Sequence, residues 1–384
     1  MENFVFYNPT RILFGQGQIA AIGSYIPAGS RVLVTYGGGS VVKTGTLARV
    51  HEALRGFEVL EFGGIEPNPT YETLMRAVDL ARREHVDFLL AVGGGSVIDG
   101  TKFIAAAIPF RGEPWDILAS RARVSATVPL GTVLTLPATG SEMNRFSVVS
   151  RAATRDKLAF ASDRVFPRFS VLDPTLTYTL PPRQVANGVI DAFVHVAEQY
   201  LTYPVDARVQ DRFAEGLLLT LVEEGPRALA EPEDYAVRAN VMWAATLALN
   251  GLIGTGVPED WATHMLGHEL TALHGLDHAQ TLAVLLPAML QVRRAAKRAK
   301  LLQYAERVWG LRDGDEEARV DAVIARTREF FESLGAATRL SAYGIGAEAI
   351  PPILQQLERH GMTALGEHGD VGLEDCRRVL ELAL

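Results

Sequence analysis

Four of the nine histidines in this 384-residue chain, His264, His268, His274 and His278, fall in the segment 264–278. His264 and His268 are spaced i, i+4 in a helical stretch and share one face. His274 and His278 belong to the turn around Gly275 and can return to the same point. A second element, the helix expected after Pro181-Pro182, carries Asp191 and His195, again at i, i+4. One carboxylate and two or three imidazoles form a borderline-hard donor set suited to Zn²⁺ or Fe²⁺, with a position left open for substrate or water. Spacing alone leaves six candidate ligands. Met265 follows His264, so the segment is not H-E-x-x-H and a zinc protease with a helix-borne glutamate base is disfavoured.

Two glycine turns offer a different chemistry. Gly37-Gly38-Gly39-Ser40 follows a strand ending at Tyr36, and Gly93-Gly94-Gly95-Ser96 follows one ending at Val92, each leading into a helix. Such turns allow close backbone approach, and a helix N-terminus presents unpaired N–H groups to a phosphate. Two of them suit a pyrophosphate ligand, although neither spells G-x-G-x-x-G. A third polar turn, Thr135 to Glu142, has hydroxyls and N–H groups to line a cofactor cleft. A carboxylate after the first strand would bind the ribose 2′-hydroxyl of NAD. Gly38-Gly39-Ser40 with Lys43 stands there instead, which favours NADP(H). Nucleotide and metal together point to hydride transfer, the metal polarising a carbonyl oxygen and a surplus histidine relaying a proton.

These groups need elements to position them. From about residue 30 to 180, short apolar runs (Val32-Leu33-Val34, Val59-Leu60, Phe88 to Val92) alternate with helical stretches (Leu47 to Leu54, Tyr71 to Glu84), which predicts βαβ units and a mostly parallel sheet. After Pro181-Pro182 only helical periodicity continues. The expected organisation is an α/β dinucleotide-binding domain over 1–180 and an all-α metal-binding and substrate domain over 181–384, with the working site in the cleft between them.

Composition narrows the classes further. With 48% apolar residues the chain can build a large core, and a net charge of −8 without a basic stripe disfavours nucleic acid. The N-terminus reads as neither signal peptide nor anchor, and no apolar run is long enough to span a bilayer, so a cytoplasmic enzyme without membrane contact is expected. The single cysteine, Cys376, excludes an internal disulfide and reads as a structural thiol.

Along nearly the whole length the motifs resemble those of iron-containing (group III) alcohol dehydrogenases, in particular the NADPH-dependent aldehyde reductase or butanol dehydrogenase type. The resemblance rests on Tyr36 to Ser40, Phe62 to Pro69, Gly93 to Lys102, Thr135 to Glu142 and Trp261 to His268. It implies a dehydroquinate synthase-like architecture and metal ligands Asp191, His195, His264 and His278. His268 would then be the proton relay, and His274 a supporting or structural residue. The same resemblance implies a cofactor cleft of Gly37, Gly38, Ser40, Asn68, Gly94, Gly95, Ser96, Asp99, Thr135, Thr139, Asn144, Lys157 and Tyr178, a small aldehyde or alcohol as substrate, and a homodimer. Met143, Arg145 and Phe146 around Asn144 depart from the small residues usual there, which would narrow the aldehyde pocket or alter cofactor affinity.

Two other readings compete. A metal- and NAD-dependent lyase resembling 3-dehydroquinate synthase would need several Lys or Arg residues for a phosphorylated polyanion, whereas Trp261, Met265, Leu266, Leu270 and Leu273 flank the histidines here and suit a small neutral carbonyl compound. A non-catalytic nucleotide-binding module with a structural metal would not need ligands set opposite nucleotide turns.

Overall fold

The computed structural model describes residues 1–384, which divide into two compact units. One comprises Tyr7–Leu180 with Pro232–Thr246, the other Met1–Phe6, Pro181–Glu231 and Leu247–Leu384. Against the expected division at residue 180, the N-terminal hexapeptide and the 232–246 segment each group with the opposite unit.

The first unit is built on a six-stranded sheet in the order β1-β8-β5-β4-β2-β3. Its strands are β1 (Arg11–Phe14), β2 (Arg31–Tyr36), β3 (Glu58–Phe62), β4 (Phe88–Gly94), β5 (Leu130–Leu136) and β8 (Phe169–Leu172). All pair in parallel. Burial on both faces is what a parallel sheet requires, and it explains the unbroken apolar runs of β2 and β4. Val32, Val34, Leu90 and Val92 point into one cluster with Ile22, Leu47 and Val50. Leu33, Leu89 and Ala91 point into the other with Leu74, Val78, Phe103 and Ile104. The Tyr71–Arg83 helix shows the local logic: the Thr70 hydroxyl accepts from the Thr73 N–H, Glu72 and Arg82-Arg83 complement the dipole, and Leu74, Ala77, Val78 and Ala81 form the buried stripe. Beyond the expected elements, β6 (Phe146–Arg151) and β7 (Asp156–Ala161) form an antiparallel hairpin.

The second unit is helical. The Pro182–Tyr200 helix starts on a proline whose missing N–H would have had no intrahelical partner. The Ala262–His274 helix ends where Gly275 takes φ 71°, and the His278–Val292 helix starts on a capping box formed by Asp277 and Gln280. Leu266, Leu270, Leu285, Met289, Ile353 and Leu380 share a core that also encloses Cys376. Burial raises the Cys376 thiol to about 11, so it is protonated and unreactive at neutral pH. No helix is long and apolar enough to cross a membrane.

The strand packing is tight enough to test. A Cβ on Gly131 would stand 2.5 Å from the ring of Phe169 on the neighbouring strand. Gly131→Ala is expected to lose about 1–3 kcal/mol of stability through overpacking, read as a lower midpoint of urea unfolding with an unchanged slope.

Candidate functional site

The parallel register brings the three predicted turns together. Tyr36 pairs with Val92 and Gly94 with Leu136, so the turns after β2, β4 and β5 lie side by side at the carboxyl edge of the sheet. The chain also changes direction here: β2 leads outward to β3, then returns to β4 on the other side of β2. Open α/β sheets bind ligands at such a switch point. Glycine is needed at Gly95, where a Cβ would lie 2.4 Å from the Thr139 hydroxyl, and at Gly37, where it would lie 3.2 Å from the Ile65 carbonyl. Gly38 differs, since open space surrounds it, and packing does not account for it. Ser40 starts a one-turn helix whose last residue is Lys43.

Several predicted cofactor residues meet one another. Asn68, in the left-handed region at φ 55°, receives Lys157 Nζ on its side-chain oxygen at 2.9 Å and donates its N–H to Ser96 Oγ at 3.3 Å. Lys157 reaches it because the hairpin residue opposite, Ser150, bridges to Thr70. Others are engaged in shaping the third turn. Asp99 accepts from Ser141 Oγ and from the Val148 N–H. Asn144 Oδ1 accepts from Lys102 Nζ at 2.9 Å and from the Phe146 N–H at 3.0 Å, and its amide donates to the Thr139 carbonyl. Burial pulls the Lys102 ammonium down to about 8 against the attraction of Asp99 and Glu142. Thr135 lies at the end of β5, whereas Tyr178 follows a short 3₁₀ turn, and burial with the charge of Asp234 raises its phenol above the usual range. Among the departures around Asn144, Arg145 pairs with Asp163 at 2.8 Å, and Phe146 lines a surface pocket with Arg121, Val124 and Phe160.

In the helical unit, Asp191, His195 and His264 are buried and offer ligand atoms within 4.8 Å of one another. His278 Nε2 lies 3.8 Å from the same Asp191 oxygen, and its ring centroid is 5.1 Å from that of His264. His268 is buried with its ring centroid 5.3 Å from that of His278. His274, in contrast, is exposed at the end of its helix: ten residues after His264, it falls about 80° round the helix from that ligand face. Burial lowers the His195 imidazole to about 4, with the nearby Asp191 opposing and His264 adding to the shift. It is therefore neutral at physiological pH, as a ligand must be. One carboxylate and several imidazoles converging at one point fit a divalent cation of Zn²⁺ or Fe²⁺ type.

One residue escaped the sequence reading. Glu198 takes His264 Nδ1 on one oxygen and the Thr263 N–H on the other, at 2.7 Å for the latter. That contact leaves His264 Nε2 toward Asp191, the carboxylate–histidine arrangement that orients a metal ligand. Burial, with Asp260 adding to it, pushes the Glu198 carboxyl well up; a divalent charge one imidazole away would favour its ionised form. The signal was present as Asp191, His195 and Glu198, spaced i, i+4, i+7 on one helix face.

Comparison with known proteins places the arrangement. Residues 9–174 match the family model described as iron-containing alcohol dehydrogenase, and residues 185–364 match that of the Fe-containing alcohol dehydrogenase family, C-terminal. The chain belongs to the iron-containing alcohol dehydrogenase family. It is 64% identical to the NADPH-dependent aldehyde reductase YqhD of Escherichia coli, with all of both chains covered. It is also 38% identical to NADH-dependent butanol dehydrogenase A of Clostridium acetobutylicum over 99% of each. The crystal structure of YqhD superposes with a TM-score of 0.99 over 100% of this chain and 99% of that one. That of a Thermotoga maritima NADH-dependent butanol dehydrogenase A gives 0.96 at 35% identity, with 100% and 99% covered. Family membership decides between the two reactions weighed above: this is an alcohol and aldehyde oxidoreductase, and the lyase reading falls.

Glu198→Gln tests the orienting contact. A glutamine has one acceptor for two donors, so either His264 Nδ1 or the Thr263 N–H faces an NH₂ group. Zn²⁺ affinity in a chelator competition is expected to fall about 10–100-fold, with the unfolding transition still cooperative.

Proposed function

We propose that this enzyme reduces small, uncharged aldehydes with NADPH, using a divalent ion held by Asp191, His195, His264 and His278. The observation that carries the reading is the 64% identity, end to end, with an NADPH-dependent aldehyde reductase. The geometry of the first turn agrees with it: open space at Gly38, the Ser40 hydroxyl and the Lys43 ammonium suit a 2′-phosphate. The carboxylates about 20 residues on, where NAD-binding folds hold the ribose, are Glu58 and Glu61; Glu58 pairs with Arg31 at 2.7 Å, and Glu61 is engaged by Tyr36 at 2.9 Å and His51 at 2.7 Å.

When bound, the ion supplies Lewis acidity to the substrate carbonyl and NADPH supplies the hydride. The chain's own residues do the rest. Asn68, held by Lys157 and Ser96, and the turn shaped by Asp99, Lys102 and Asn144 orient the dinucleotide. Glu198 keeps the proton of His264 on Nδ1, so that Nε2 remains a lone-pair donor. Trp261, its ring 5.3 Å from that of His264, excludes water from that side, which strengthens every polar contact with the carbonyl. His268, one turn from His264, delivers the proton that completes the alcohol from a ring nitrogen.

The native ion is Zn²⁺ or Fe²⁺, selected by supply as much as by the donor set, and the enzyme is cytoplasmic. Association into a homodimer is expected through β1, an edge strand of only four residues. Val5, Tyr7, Phe14 and Trp243 are exposed, Phe14 against Trp243 at 5.9 Å, and an open strand edge is a template for pairing. The NADH-dependent relatives at 38% identity supply the second reading, an NADH-linked butanol dehydrogenase.

Steady-state assays of Zn²⁺- or Fe²⁺-loaded enzyme with a series of short aldehydes separate the two. NADPH oxidation is expected to exceed NADH oxidation by at least about tenfold in kcat/KM, a difference of about 1.4 kcal/mol, and to vanish in His264→Ala. A preference for NADH would refute the 2′-phosphate argument and leave the dehydrogenase standing.

A further inference from the structure

Lys297 has no catalytic group within its reach, yet its surroundings connect it to the metal group. Its side chain is 1% exposed, and its ammonium meets three acceptors: Asp260 Oδ2 at 2.9 Å, Glu367 Oε1 at 2.7 Å and the Leu201 carbonyl at 2.6 Å. Three acceptors use all the donors a lysine has. The side chains of Asp260 and Glu367 are 3% and 0% exposed, so none of these charges is shared with solvent.

Two of the three contacts fall at the ends of ligand-bearing helices. Leu201 terminates the Pro182–Tyr200 helix, which carries Asp191, His195 and Glu198. Cationic groups are favoured at such a carboxyl end, where carbonyls lack partners. Asp260 stands at the start of the Ala262–His274 helix, and its other oxygen accepts from the Ala262 N–H at 2.8 Å. The Asp260 N–H in turn donates to the Glu198 carbonyl at 2.9 Å. One ammonium thus joins the end of one ligand helix to the beginning of the other.

We propose that Lys297 is a positioning residue of the metal centre, fixing the distance between the Asp191–His195 helix and the His264 helix through Leu201 and Asp260. The inference rests on the metal reading of that group. A buried ammonium is suited to the task because its separation from three acceptors is set to within a few tenths of an ångström by hydrogen bonding, and loss of any one leaves a buried polar group exposed to no substitute. The strap that supplies Glu367 is itself anchored by Arg293, which grips both oxygens of Asp370 at 2.6 Å.

A comparison of two buried lysines tests it. Lys300, one turn along, pairs with Asp211 and lies 4.7 Å over the ring of Tyr200, but has no contact with the Asp260 cap. In Lys297→Met the dissociation constant for Zn²⁺, measured by chelator competition, is expected to rise about 10–100-fold, and the visible d–d bands of the Co²⁺-loaded protein to shift and weaken. Lys300→Met is expected to melt at a lower temperature with Zn²⁺ affinity and Co²⁺ spectrum unchanged. If Lys297→Met does not fold, Asp260→Asn keeps an oxygen for the Ala262 N–H, removes the charge that Lys297 holds and carries the same expectation. Wild-type Zn²⁺ affinity and Co²⁺ bands in folded Lys297→Met or Asp260→Asn would overturn the proposal, as would an equal loss of affinity in Lys300→Met. Zn²⁺ binding that survives undiminished in His264→Ala would overturn the metal reading itself, a result distinguishable from either.

Discussion

A charge withdrawn from water must be met inside the protein, and two lysines make that constraint the organising fact of this molecule. Lys102 in the sheet-based unit and Lys297 in the helical unit are both essentially inaccessible to solvent. The cost of burying an ammonium is several kcal/mol, about what a well-placed set of acceptors returns, so each lysine dictates where its neighbours stand. Lys102 fixes Asn144 and the Phe146 carbonyl and thereby the exit of the third turn. Lys297 fixes Asp260 and Leu201 and thereby two helix ends. Each buried cation acts through intermediates, Lys102 through Asn144 and Lys297 through Asp260 and the Glu198 carbonyl that Asp260 meets.

The sheet imposes a complementary constraint. Parallel strands share direction, so every strand-to-helix turn of β2, β4 and β5 emerges at the same edge. That edge holds glycines for two different reasons. Gly95 is small because the Thr139 side chain already occupies the place of a Cβ, and Gly37 because the Ile65 carbonyl crowds it, whereas Gly38 faces open space and no neighbour requires its smallness. The polar side chains among the predicted cofactor residues also divide into two groups. Asp99 and Asn144 spend their hydrogen bonds on the loop, while Asn68, Ser96 and Lys157 form a linked row beside the second turn.

The helical unit resolves how a polar group survives in an apolar interior. The Ala262–His274 helix alternates its histidines with Leu266 and Leu270, so one face packs while the other presents imidazoles. A neutral His195 costs less to bury than a charged one and keeps a lone pair for a ligand bond. Glu198 gives His264 a single orientation, which a divalent ion can use without reorganising the site.

By itself the sequence determined the class of the elements and most of the chemistry: apolar runs without alternation mark strands buried on both faces, and i, i+4 spacing places Asp191 with His195 and His264 with His268. It also carried the family motifs, because those are local and contiguous. Only the tertiary structure decided which candidates converge. It put His274 outside the group, exposed at the last position of its helix, and it drew in Glu198, legible only as a third position on a helix face. It assigned the 232–246 segment to the sheet-based unit through contacts such as Thr246 with Glu142, 104 residues apart. Lys297 was not legible at all, because its role depends on carbonyl and carboxylate partners up to 96 residues away. Such partners leave no spacing pattern, since the chain between them is free to vary as long as the charges meet.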